Sequence, residues 1–381
     1  MAFSKKLDAF KKRYSNNLVA WLAACVLAMA AIPATAAAVE WQQVLEAAKK
    51  EGWLALAHGG NAGPDVRRLY TEGFMKEFPE IKVNMTVAGG RSIAPRMLME
   101  QRVGKHLWDL YMGGTTTALG FLIPAGLLDD IRPALALPEV ADLKKWFGGQ
   151  LEFADDAGKY NLVFGGRLVA PFVVNTKLAN PAEIRSYWDL LDPKWKGKMV
   201  MQDPRSPGNG LAMATHWYFT PALGKKFMSE IFTKQDVKVT RDSRQLLEWV
   251  ARGDYHIGLA YSSSIYEGLK GQGLPMDVQT ADNMKEGSYL TSGVAGVGLV
   301  ASAPHPNAAK VFINWLLNRK TQTEWSKASG NWSRRLDVPV EHLEAGIVPN
   351  PARMDSYQAN YLEKWVSKRD EIQKFLRTVI K

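Results

Sequence analysis

Leu168-Val-Ala-Pro-Phe-Val-Val-Asn175 is the stretch on which the fold turns. Its residues are apolar on both alternating faces, as in a strand covered on both sides. Yet Pro171 stands inside it, and proline has no N–H to give a central ladder. A strand that leaves one sheet and enters another accommodates both facts. The Gly-rich residues 287–298, with Gly293 and Gly296, read as a return crossing. Two crossings divide the chain into two lobes. Residues 39–168 and 299–381 are expected to form lobe one and residues 175–285 lobe two, with crossings at 168–175 and 286–298. Both ends of the folded chain then belong to lobe one.

Outward from this stretch, short apolar runs recur at 53–58, 82–88, 108–112, 198–203, 237–240, 257–261 and 294–301. Most are bounded by Gly, Pro or Asp, as buried strands are. Helical patterns lie between them. Val66, Leu69, Tyr70, Phe74 and Phe78 form one apolar stripe, opened by Pro64 and Asp65 in the first turn. Leu246, Leu247 and Val250 form another behind the N-cap candidate Ser243. Ala308, Val311, Phe312, Trp315 and Leu316 form a third. The alternation predicts an α/β fold of two doubly wound lobes, with parallel sheets and helices on both faces. Residues 357–381 read as a closing helix on the body.

The N-terminus carries a different message. Lys5, Lys6, Lys11, Lys12 and Arg13 precede an uncharged apolar run from Leu18 to Ile32, and Ala34-Thr35-Ala36 follows. This is the layout of a secretory signal, cleaved after Ala36 or Ala38. The run is short of the ~20 residues a spanning helix needs. Leu22-Ala23-Ala24-Cys25 also matches a lipobox, with Cys25 as the acylation site. The residues after Cys25 stay apolar, which favours ordinary cleavage and a periplasmic protein without cysteine. The full chain has 48 Lys+Arg against 38 Asp+Glu, a net charge of +10. Five of those bases and Asp8 lie in residues 1–36, so 43 and 37 remain, a net of +6. The remaining bases are scattered among acids. A nucleic-acid binder concentrates them on one face, so nucleic acid is excluded as a partner.

Four segments carry a resemblance to a known family. They are Val44-Leu-Glu-Ala-Ala-Lys-Lys-Glu-Gly52, Trp188-Asp-Leu-Leu-Asp-Pro-Lys-Trp-Lys-Gly-Lys198, residues 248–258 leading into Tyr261-Ser-Ser263, and Ala303-Pro-His-Pro-Asn-Ala-Ala-Lys310. With these the chain resembles the periplasmic solute-binding proteins of bacterial ABC importers, in the branch of ferric-iron, phosphonate and thiamine binders. The resemblance covers nearly the whole mature chain. It implies a type II binding-protein fold, a solute held between two lobes, and delivery to a membrane permease and its ATPase. A monomer without cofactor is expected.

In open α/β sheets ligands sit at the carboxyl ends of strands, where helices begin and their N–H groups are unpaired. Five such junctions are rich in Gly, Ser, Thr and Asn. The expected ligand contacts are Gly60 and Asn61, Arg91 and Ser92, and Gly114 and Thr115 in lobe one. In lobe two they are Arg205, Ser206, Gly208 and Asn209, and Tyr261, Ser262 and Ser263. Each loop alone also reads as a turn with a helix cap. Arg91, Arg205 or Arg241 facing the cleft would clamp a carboxylate or phosphonate bidentately.

Iron is the alternative ligand. The iron binders of this branch use two adjacent tyrosines after a lobe-two strand, but here that position reads Tyr261-Ser-Ser-Ser-Ile-Tyr266. Neutral serine hydroxyls are poor ligands for a hard cation that prefers anionic oxygen. The loops therefore favour a small organic anion, such as a phosphonate, phosphate ester or carboxylate. A periplasmic hydrolase is the reading of another class. It lacks support: no GxSxG, HExxH or P-loop is present, and the six histidines show no metal spacing. No catalytic residue and no metal ligand is assigned. His58 ends the first strand and is read as structural or as a polar contact to the ligand.

Overall fold

The computed structural model describes residues 39–60, 62–344 and 346–380. The signal-like residues 1–36, with Cys25, lie outside the described residues. In chain order the first strands are β1 (Trp53–Gly59), β2 (Lys82–Ala88), β3 (Leu110–Gly113), β4 (Leu128–Asp129), β5 (Glu152–Phe153) and β6 (Leu162–Val163). Next come β7 (Gly165–Leu168), β8 (Phe172–Asn175), β9 (Met199–Gln202), β10 (Lys238–Thr240) and β11 (Ile257–Leu259). The last are β12 (Met276–Val278), β13 (Ser288–Thr291), β14 (Gly296–Val300), β15 (Trp332–Ser333) and β16 (Tyr357–Ala359). They form three sheets: β2-β1-β3-β14-β6-β5 with β4 beside β14, β10-β9-β11-β8-β12, and β15-β7-β13-β16.

Each of the two larger sheets is buried on both faces, and its sequence shows why. In β1, Leu54 and Leu56 enter one core while Ala55 and Ala57 enter the core on the opposite face. In β9, Met199 and Met201 face one core and Val200 the other. The Leu–Ala alternation in β1 makes one face deep and the other shallow. The stripe from Val66 to Phe74 fills the deep face, together with Phe312 and Trp315 of the Pro306–Leu317 helix. That stripe runs through three helical segments, with a π-helical turn at Leu69–Gly73 in the middle. In the second sheet the Ser243–Arg252 helix packs directly on Gly258, where a Cβ would lie 2.8 Å from Leu246 and 2.9 Å from Val173.

The sheets depart from the sequence expectation in direction. The parallel strands β1, β2 and β3 are joined by β14 running antiparallel to β3. The parallel strands β9, β10 and β11 are joined by β8 running antiparallel to β11. Both sheets are therefore mixed. The cause is topological: β8 and β14 are the strands that arrive from outside, and each enters from the far end. The apolar run at 168–175 is split, with β7 ending at Leu168 in the third sheet and β8 beginning at Phe172 in the second. Pro171 falls in the gap, where no ladder hydrogen bond is asked of it.

The C-terminal helix also differs from expectation. Its stripe of Ile372, Leu376 and Ile380 is buried in the core of the second sheet. It lies against the Asn209–Phe219 and Gly224–Lys234 helices, so the chain ends on lobe two rather than lobe one. Among the described residues no helix is long and apolar enough to cross a membrane.

Candidate ligand cleft

The parallel strands β2, β1 and β3 end level with one another: Gly59 is in register with both Ala88 and Gly113. Their following loops therefore start side by side. Gly60 N donates to Ala88 O at 2.8 Å, and Gly114 N to Gly59 O at 3.4 Å. Two glycines make this closeness feasible. Gly113 has φ 153°, and a Cβ there would lie 2.6 Å from Gly59 O. Gly60 has φ 134° and presses on Val294 of the return turn before β14, where a Cβ would meet Val294 Cγ1 at 2.7 Å. Only glycine adopts such angles without strain. Ser92 is exposed at the start of the Gly90–Arg102 helix, while Thr115 is buried and Thr116 exposed after β3. Asn61 lies outside the described residues, and the side chain of Arg91 is likewise not described.

His58 fixes the first loop from below. It is fully buried, and its Nδ1 lies 3.3 Å from Gly60 O, where the Nδ1–H tautomer donates. Burial pulls its pKa down from 6.5 to about 4, so the ring is neutral at pH 7. It supports the loop through this contact.

In the second sheet β9 and β11 also end level, and their loops are pinned together. Gln202 Oε1 accepts from Asn209 N at 3.1 Å, and Asn209 Nδ2 donates to Tyr261 O at 2.9 Å. The Asn209 amide thus ties two loops instead of pointing free. Gly208, with φ 154°, is exposed in the same loop, and Ser206 is half-buried. Ser262 Oγ and Ser264 Oγ are 3.2 Å apart at the start of the Ser263–Lys270 helix. Ser262 makes no capping hydrogen bond to that helix, which leaves hydroxyl and N–H groups open.

Two expected contacts are placed elsewhere. The Arg205 guanidinium folds back on Asp203, with Nε to Oδ1 at 3.0 Å and Nη2 to Oδ2 at 3.3 Å. Burial pushes the Asp203 carboxyl up, but hydrogen bonds from Arg205 and the charges of Arg205 and Arg241 outweigh it and hold it below its usual range. Arg205 is thus committed to its own loop. Tyr261 contributes only its carbonyl. Its ring is buried against Tyr266, with centroids 5.6 Å apart, and burial pushes the phenol well above its usual range.

The two sets of loops meet across the third sheet and the C-terminal segment. Arg369 Nη1 donates to Thr116 Oγ1 of the first lobe at 3.1 Å, and Nη2 to Asn360 O at 3.0 Å. Asn360 Nδ2 donates in turn to Ala212 O, in the first turn of the helix that follows the β9 loop, at 2.6 Å. Sequence reading missed Arg369. It stands in Lys368-Arg-Asp-Glu371, a charged run typical of an exposed helix start, and only the fold brings it to the third loop. Among the described residues no group of three or more His, Cys, Asp or Glu is placed to hold a metal ion. Chemically, the described loops offer backbone N–H groups and hydroxyls beside the Arg369 guanidinium, a donor set suited to an acceptor-rich solute.

A family profile described as bacterial extracellular solute-binding protein matches residues 70–346. The chain is 28% identical over 184 residues to iron uptake protein A1 of Synechocystis, covering 45% of this chain and 50% of that one. It is 26% identical over 212 residues to a putative 2-aminoethylphosphonate-binding periplasmic protein of Salmonella typhimurium, covering 54% and 61%. The matched stretch thus spans less than two thirds of either of these two proteins. Among solved structures, iron-bound HitA of Pseudomonas aeruginosa matches with a TM-score of 0.63 at 17% identity, over 86% of this chain and 99% of that one. AfuA of Actinobacillus pleuropneumoniae, with fructose-6-phosphate bound, matches with a TM-score of 0.59 at 19% identity, over 86% and 98%. The shared architecture is the α/β periplasmic-binding-protein fold with two mixed sheets.

Proposed function

This chain belongs to the bacterial extracellular solute-binding proteins, a family of binding components rather than of enzymes, and we propose that its solute is a small organic anion. It would hold that anion between the lobes built on the two large sheets, and deliver it to an ABC permease and its ATPase at the inner membrane. Residues 1–36 would direct the protein to the periplasm.

One observation carries the choice of ligand. Loops from both sheets present glycine backbones and hydroxyls at strand ends. The ligands named for the four proteins compared above differ: iron for two, 2-aminoethylphosphonate and fructose-6-phosphate for the others. Two of the four are organic anions carrying a phosphoryl or phosphonyl group. Iron stays the alternative, but Tyr261 and Tyr266 are buried with their phenols raised, which makes them poor phenolate donors.

Thermal melts decide between the two. The purified protein is expected to melt higher with 2-aminoethylphosphonate or a sugar phosphate, with no turnover of either. A visible charge-transfer band on adding ferric iron, with no stabilisation by any organic anion, would replace this reading with the iron one. Product formation from a stabilising anion would reopen the hydrolase class.

A further inference from the structure

The guanidiniums around the lobe-two loops and the crossing strands are neutralised. Arg205 lies on Asp203, and Arg167 of β7 lies 3.0 Å from Glu267. Arg369 is different. Its two hydrogen bonds go to neutral oxygens, the Thr116 hydroxyl and the Asn360 carbonyl, and it pairs with no described carboxylate. Its Nε is buried with no partner. A cation removed from water and surrounded only by dipoles is left uncompensated. The neighbouring Tyr289 does not relieve this, because burial holds its phenol protonated.

Arg369 Nη1 ends on Thr116, which is exposed in the loop after β3. Beside it Gly114 lies close to the Gly293 carbonyl, where a Cβ would stand 3.2 Å away, while Gly293 itself faces open space. An anion set down at this point would reach Nη1, the Thr116 hydroxyl and loop N–H groups together. A planar guanidinium is the side chain best shaped for a carboxylate or phosphonate.

We propose that Arg369 is the residue that takes the charged group of the solute, entering the cleft from the C-terminal helix of lobe two to meet the third loop of lobe one. The assignment rests on the anion reading above and adds the residue that would make it selective. It also gives the C-terminal helix a purpose beyond packing, because the helix carries a guanidinium that touches both lobes.

The test is calorimetric titration of the purified protein with 2-aminoethylphosphonate, inorganic phosphate and fructose-6-phosphate, repeated on Arg369→Gln and Arg369→Lys. The wild type is expected to bind at least one probe. Arg369→Gln should then weaken it by about thirtyfold or more, with Arg369→Lys intermediate. The melting temperature of ligand-free Arg369→Gln should hold or rise, because an uncompensated charge has been removed. Affinity within about threefold of wild type in Arg369→Gln would overturn the assignment and leave the anion reading standing. Binding of none of the probes by the wild type would overturn the anion reading itself, and the assignment with it. Loss of binding in both variants, with a fall of more than about 5 °C in the ligand-free melt, would make Arg369 a structural tether and overturn the assignment too.

Discussion

At the scale of the residue, the loops are held together by side chains engaged in internal hydrogen bonds. His58 props Gly60, and Asn209 joins the β9 loop to the β11 loop. Burial leaves a thermodynamic signature in His58. Its pKa is about 4 in the fold against 6.5 for an exposed histidine, and His216, fully enclosed near Tyr187 and Tyr289, falls to about 3. The folded state therefore binds fewer protons than the unfolded state between these values. Their contribution is complete above pH 6.5 and is lost as the pH falls towards 4 for His58 and towards 3 for His216. Urea melts should show stability dropping over that window, by up to about 3 kcal/mol for His58 alone. His58→Gln should flatten the slope, with His216 supplying what remains; an unchanged slope would mean that His58 is hydrated. The position of His58 at a strand end was legible in the sequence. Its burial was not, because that depends on Tyr70 and the rest of a core assembled from remote segments. Arg369 marks the same limit more sharply: a spacing can suggest a loop, but not which distant side chain the fold brings to it.

At the scale of the element, most strands could be read because each carries its burial in its own letters. Leu54-Ala-Leu-Ala57 and Met199-Val-Met201 are apolar at every position, so no partner is needed to recognise them. β13 and β16 carry Ser288, Thr291 and Gln358, and lack that signal. Yet β13 lies between two cores, with Tyr289 entering that of the second sheet and Leu290 entering another with Tyr357. Strand direction was illegible for another reason. β8 and β14 look like any buried strand, and their antiparallel course follows from the route of the chain between lobes. The C-terminal helix shows the same split. The stripe of Ile372, Leu376 and Ile380 announces an amphipathic helix, but not which lobe offers the matching groove. That groove proves to lie between the Asn209–Phe219 and Gly224–Lys234 helices. Leu376→Ala should thus cost about 2–5 kcal/mol, as buried leucine truncations do. The loss should appear in hydrogen exchange as weaker protection of β9 and β11, with β1 and β3 unchanged. Equal loss in both lobes would show that the helix stabilises the molecule as one unit.

At the scale of the whole molecule, the opening charge becomes secondary. A net of +10 falls to +6 once residues 1–36 are set aside, too scattered for a polyanion and only a mild bias towards a small one. The arrangement of cores matters more. Each large sheet is wrapped in its own apolar clusters, and the sheets communicate through β7 into β8, β13 into β14, and the segment carrying Asn360 and Arg369. Deforming either lobe would break a packed interior, so a swing of one lobe relative to the other is the softer motion. Motion should therefore concentrate at the crossings, as it does in periplasmic binding proteins generally. A solute shifts such an equilibrium only by its preference for the closed form, which requires contacts with both lobes at once. Arg369 and Thr116 provide that kind of contact, since the bond between them already spans the divide. Small-angle scattering on residues 37–381 should give a radius of gyration of about 20 Å. That radius should fall on saturation with a bound anion while circular dichroism stays constant. In Arg369→Gln, at anion concentrations high enough to saturate the weakened site, the fall should be smaller, because the solute then grips one lobe better than the other. Full closure in the variant would mean that other loop contacts suffice to draw the lobes together.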